Sequence, residues 1–209
     1  MPFICLLLSG AALLVNGLAT LGRLPRRDSA TFSLLLGGTQ LVLGVVHLST
    51  GSTGAEHLLT AAGMFLFGLT YAYAGLDVLL ALGSKGLGWF CGMVAFFGLL
   101  LAGAWLGTDP LLAVLWVGWS VLWGLLFASA AFGAARLDLF TGWALVLASQ
   151  VTATVPAFLG LSGVWPRSDW AAWLAAAFLA GLFVAARVLA RRGHCGRRRA
   201  SKGEAVSVR

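Results

Sequence analysis

Charge is what this sequence has least of: Asp, Glu, Lys and Arg together make up 10% of its 209 residues, seven acidic against fourteen basic. A water-soluble domain needs a charged surface, so this scarcity excludes one, given 60% hydrophobic residues and a mean hydropathy of +0.94. Motifs are missing as well. No glycine-rich loop with a lysine is present to cradle a nucleotide, so the chain does not use ATP itself. No Cys, His or carboxylate cluster has metal-ligand spacing, and no Ser, His and carboxylate fall together as hydrolysis would need. These absences speak against an enzyme and against any cofactor or metal. The three cysteines, Cys5, Cys91 and Cys195, read as small apolar packing groups, two of them inside apolar runs.

What fills the sequence instead is long uncharged runs. Hydrocarbon cannot hydrogen-bond a backbone, so apolar runs of roughly 20 residues cross a membrane as helices. The fold class is an all-α polytopic membrane bundle. Seven spans can be drawn, at 3–21, 29–48, 57–82, 87–106, 111–127, 139–161 and 170–189. The breaks between them are Arg- and Pro-containing at 23–27, Gly/Ser/Thr-rich at 49–54 and 83–86, and Asp109-Pro110 before the fifth. The first run has no basic residue ahead of it and no small-residue cleavage site after it, so it reads as a retained helix.

The net charge of +7 would suit nucleic acid, but the basic residues gather at span ends and in the tail, where they orient helices and meet anionic lipid. Arg23, Arg26, Arg27, Lys85, Arg136 and the C-terminal arginines occupy alternate connections, whereas Glu56, Asp109 and Asp169 occupy the others, with Arg167 the one basic exception. The positive-inside bias then predicts an outside N-terminus and a cytoplasmic C-terminus. Residues 191–209 read as a disordered, lipid-facing basic tail.

Membrane-embedded ionisable groups are few. Asp77, near the end of the third span, and His47, near the end of the second, are the candidates for a proton-coupled transporter, although each reads more simply as interfacial. The fifth span is distinctive in another way. Trp116, Trp119 and Trp123 fall at i, i+3 and i+7 and share one helical stripe. Trp119 is about nine residues in from Pro110, too deep for the interfacial aromatic belt. The stripe is therefore either packing or a pore wall. A pore of aromatic faces with few charges cannot replace an ion's hydration shell, but it suits a small neutral planar solute such as urea or a short amide. A structural subunit that recruits a cytoplasmic enzyme through the basic tail is a third reading.

Several stretches bear a family resemblance: Gly10 to Gly17, the Gly37-Gly38 pair, Leu66-Phe-Gly-Leu-Thr-Tyr-Ala-Tyr-Ala74, Leu115-Trp-Val-Gly-Trp-Ser-Val-Leu-Trp123, and Phe140-Thr-Gly-Trp143 with Thr152-Ala-Thr-Val-Pro156. Together they resemble the AmiS/UreI family of urea channels and short-chain amide transporters in bacterial inner membranes. The resemblance implies a six-helix channel core over 1–165, built from three helix hairpins, followed by an additional seventh span at 166–190. It implies a passive pore in each protomer and protomers assembled in a ring, a hexamer being one candidate size. It also implies a functional link to a cytoplasmic urease or amidase. Carried over residue by residue, the pore-lining positions are Leu6, Leu13, Tyr73, Trp116, Trp119, Leu122 and Trp123. Leu69 stands where an aromatic is expected and Ala148 where the urea branch can have a carboxylate, which implies a wider, more apolar slot. The outer loops hold His57 without a histidine cluster, which argues against acid gating.

Overall fold

The computed structural model describes residues 1–50 and 54–207, with side chains through Gly193. The elements run α1 Pro2–Thr20, α2 Arg26–Thr50, α3 Ala55–Leu80, α4 Lys85–Trp105, α5 Pro110–Phe132, α6 Asp138–Ala148, α7 Val155–Leu161 and α8 Asp169–Ser207. A 3-10 turn, Ala135–Leu137, precedes α6, and a six-residue π-helical segment, Ser149–Thr154, joins α6 to α7. With that segment included, Ala135–Leu161 forms one span, and seven spans among the described residues are long and apolar enough to cross a membrane. The protein is a multi-pass membrane protein, all-helical as the uncharged runs require.

The helices begin and end where the local chemistry says they should, but several outrun their apolar stretches. Asp109 caps α5, its Oδ1 accepting from the Leu112 N–H at 2.9 Å, and Pro110 occupies the first turn, where no amide hydrogen is needed. Gly133, at φ +65°, closes the other end. α2 starts three residues earlier than apolarity predicts, because Arg26 and Arg27 form helix well outside hydrocarbon. The sixth span is not the uniform helix expected, since its π segment widens the ladder. Part of the predicted 49–54 turn, and the side chains of most of the basic tail including Cys195, lie outside the described residues. The backbone of α8 runs on as helix to Ser207.

Six spans pack as three antiparallel pairs. α2 with α3 and α4 with α5 are hairpins. The third pair joins chain-distant elements, α1 and the sixth span. Each seam is closed by glycine. A β-carbon on Gly37 would lie 2.4 Å from the Ala72 nitrogen, one on Gly88 2.5 Å from the Ala131 nitrogen, and one on Gly17 2.9 Å from the Val146 nitrogen. Backbones that close leave no room for a side chain, and in lipid such van der Waals packing holds helices together. α8 lies outside the three pairs, against α5 and the sixth span, with Leu179 seated on Gly118.

Gly37→Ala is expected to push α2 from α3 and cost about 1–3 kcal/mol, read as a lower thermal midpoint in detergent. Gly38→Ala meets nothing within 4 Å and should be neutral. Equal midpoints for the two variants would refute this account of the seam.

Candidate functional site

Two cavities enter the bundle from opposite ends. The proximal one, at the end where the chain begins, has a volume of about 650 Å³ and is lined by Leu6, Phe67, Trp116, Trp119, His57 and Trp165 among others. The distal one, of about 390 Å³, is lined by Leu13, Thr70, Tyr71, Trp123, Leu145 and Asp77 among others. Three helices show where they meet. On α1 the boundary falls between Leu6 and Leu13, on α3 between Phe67 and Tyr71, and on α5 between Trp119 and Trp123.

At that boundary Phe67 is the hub. Its ring stacks on Trp123 at 4.8 Å and 13°, meets Trp119 edge-on at 5.3 Å and 83°, and touches Trp116 at 5.3 Å. Trp116 and Trp119 are themselves T-shaped at 5.0 Å. These are the favoured aromatic geometries. Two threonines orient the indoles. Trp119 Nε1 donates to Thr152 Oγ1 and Trp123 Nε1 to Thr70 Oγ1, each at 3.1 Å. The threonine hydroxyls donate in turn to the carbonyls of Ala148 and Leu66. The closure is aromatic and uncharged, and both of these indole N–H groups are already bonded.

The sequence-derived positions divide. Leu6, Leu13, Trp116, Trp119 and Trp123 all line the cavities. Leu122 and Ala148 are buried but line neither. Tyr73 is a correction: two residues, or 200°, around α3 from Tyr71, it directs its hydroxyl at Gly86 on α4, and Tyr71 is the tyrosine at the cavity. Leu69 is a second correction, 45% exposed on the outside of the bundle, because Phe67, Thr70 and Tyr71 hold the inward face. Phe67, Thr70, Tyr71 and Thr152 were not selected from sequence. The i, i+3, i+4 spacing of the first three was the available signal.

Of the ionisable candidates, Asp77 lines the distal cavity yet is spoken for: the Ser84 backbone N–H donates to Oδ1 at 2.8 Å and the Ser84 hydroxyl to Oδ2. It stabilises the α3–α4 turn, where Ala81 and Ser84 have positive φ. His47 stacks on His57 at 4.0 Å at the proximal mouth, and neither Nε2 has a partner. His57 is thus half of a pair. No group of three or more metal-binding side chains forms among the described residues.

Two mouths closed by an uncharged aromatic centre, inside a membrane bundle, is the architecture of a transport protein, and comparison with known proteins agrees. The model of the AmiS/UreI family of transporters matches residues 1–164. The chain belongs to that family. Its relatives include the candidate transporter AmiS2 of Rhodococcus erythropolis, 41% identical over 160 residues, covering 76% of this chain and 78% of that one. A candidate transporter of amidate substrates from Mycolicibacterium smegmatis is 35% identical over 185 residues, 87% and 84% of the two chains. The crystal structure of the urea channel from Helicobacter pylori superposes with a TM-score of 0.69 at 25% identity, over 79% of this chain and all of that one. These family members are named as transporters and channels, not as enzymes. The family match stops just before α8, which begins at Asp169.

Thr152→Val should leave the Trp119 N–H buried and unpaired, costing about 1–3 kcal/mol. A lowered thermal midpoint and a changed near-ultraviolet circular dichroism signal would report it. An unchanged spectrum would mean that Thr152 does not set the Trp119 ring.

Proposed function

We propose that the protein is a passive channel of the bacterial inner membrane for urea or short-chain aliphatic amides. One observation carries the reading: the two cavities meet at the uncharged closure of Phe67, Trp119 and Trp123. Nothing in that closure could replace the hydration shell of an ion. A small planar neutral molecule loses less on dehydration and can slide between ring faces. Leu6, Leu13 and Trp116 line the approaches. The names of the relatives, an amidate transporter and a urea channel, point to the same solute class.

The proton-coupled alternative is less well supported. Asp77 is held in a turn by Ser84 and His47 sits at the proximal mouth, both away from the closure. Arg23, Arg26, Lys85 and Arg136 lie at the distal end of the bundle, which supports placing that end in the cytoplasm and the N-terminus outside. In this reading residues 1–165 are the channel core, α8 is an addition to it, the protomers form a ring, and the solute feeds a cytoplasmic urease or amidase.

Purified protein in liposomes should speed urea and acetamide equilibration with no ion gradient present. Phe67→Ala should raise flux severalfold and weaken discrimination among neutral solutes, because it removes the ring on which three tryptophans close. Stopped-flow light scattering measures both. Transport that requires a proton gradient and stops with a protonophore would overturn the passive mechanism.

A further inference from the structure

Ser9 stands between Leu6 and Leu13 on one face of α1, at i+3 from the first and i+4 before the second. Leu6 lines the proximal cavity and Leu13 the distal one, whereas Ser9, 1% exposed, lines neither and so lies at the height of the closure. Its hydroxyl accepts from Gln40 Nε2 of α2 at 2.8 Å, and the same nitrogen donates to the Cys5 carbonyl at 2.7 Å. Both hydrogens of the Gln40 amide are therefore committed to α1, which fixes which way the amide faces. Its Oε1 is left fully buried with no partner. Beside Ser9 on the other flank is Tyr71 of α3, whose buried hydroxyl meets the Ser9 hydroxyl and has no other partner, so that its own hydrogen is uncommitted.

An unpartnered acceptor and a hydroxyl with an uncommitted hydrogen thus flank Ser9 at the height where the two cavities meet. A strut built only to tie α1 to the α2–α3 hairpin would leave neither the Gln40 acceptor nor the Tyr71 hydrogen unused, because polar capacity in hydrocarbon depth is costly unless bonded. A primary amide or urea carries the complementary pair, an N–H donor and a carbonyl acceptor. The indoles of Trp119 and Trp123 cannot supply these contacts, since their N–H groups are held by threonines.

We infer that Gln40, Ser9 and Tyr71 form a polar filter for the amide group: Gln40 Oε1 accepts a solute N–H, Tyr71 donates its O–H to the solute carbonyl, and Ser9 positions Gln40. This rests on the channel reading and adds to it a reason for choosing amides. Two weak contacts select without trapping the solute, as conduction demands.

The test compares acetamide with N,N-dimethylacetamide, which keeps the carbonyl and lacks the N–H, in proteoliposomes with the protein-free leak subtracted. Gln40→Met should lower acetamide permeability roughly three- to tenfold while changing that of the dimethyl amide less than about twofold. Tyr71→Phe, which deletes a single oxygen and keeps the ring, should lower both alike and spare glycerol. A merely structural strut predicts a lower thermal midpoint with all solutes reduced in proportion, and that result overturns the filter. So does wild-type discrimination in both variants, and should Gln40→Met fail to fold, Tyr71→Phe alone decides between these outcomes. If the wild-type protein passes neither urea nor acetamide, the channel reading fails first, and that failure is visible before any variant is compared.

Discussion

The ring of Phe67, laid flat on Trp123 and against the edge of Trp119, occupies a space that the backbone leaves open. Each of the three helix pairs closes on glycine, so tightly that a methyl group would collide with the neighbouring main chain. Between pairs the opposite holds: α3 and α5 belong to different hairpins and barely approach one another, and aromatic side chains fill the gap. Tight seams and a loose centre are two sides of one arrangement. Each aromatic contact at the centre contributes about 0.5–1.5 kcal/mol, so the closure is held by several modest contacts and not by one strong one. Gly63 belongs to the same design, because a side chain there would strike the Trp116 indole, 2.8 Å from a β-carbon.

Bilayer chemistry explains why threonine accompanies the tryptophans. An indole N–H in hydrocarbon needs an acceptor, yet a charged one would be costly to bury beside the aromatic closure. A threonine hydroxyl accepts the indole hydrogen while donating its own to a carbonyl one turn back, so it satisfies two groups and adds no charge. The cost is that the indoles of Trp119 and Trp123 keep no free N–H at the closure. What hydrogen-bonding capacity remains at that height is on Gln40 and Tyr71, off the aromatic faces.

Much of this was legible in the sequence, and the limits have physical causes. Uncharged runs revealed the spans because hydrocarbon permits no alternative, and the period of the fifth span revealed the tryptophan stripe. The stretch from Leu66 to Ala74 was harder. It holds two tyrosines two residues apart, and composition cannot say which faces inward; Phe67 and Thr70 fix the phase, and they select Tyr71. Leu69 was misplaced by the same missing phase. The pairing of His47 with His57 and of Trp119 with Thr152 depends on how hairpins register against each other, and no local pattern carries that. Gln40 was invisible because a single buried amide in a span has meaning only through the atoms it fails to bond.

The sixth span shows how one such register is set. Residues that meet α1 run Gly142, Val146, Ser149 and then Thr154, a final step of five where an α-helix takes three or four. That step is the π segment, in which the Val155 N–H reaches back to the Gln150 carbonyl and Thr154 Oγ1 donates to Ser149 O. Pro156 follows and offers no N–H of its own, so the ladder is already interrupted there and a wide turn loses less than it would elsewhere. The swelling presses toward α1, and Gly10 accepts it: a β-carbon would lie 2.6 Å from Thr154 Oγ1. With the wide turn in place, Ala153 within it and Ala157 just beyond it are fully buried, and Thr152 accepts from the Trp119 indole. A straight α-helix through the same residues would turn everything beyond Ser149 by about 100° relative to α1 and take Thr152 away from the closure. Gly10, Pro156 and Trp119, far apart in the chain, are thus constrained by the same turn.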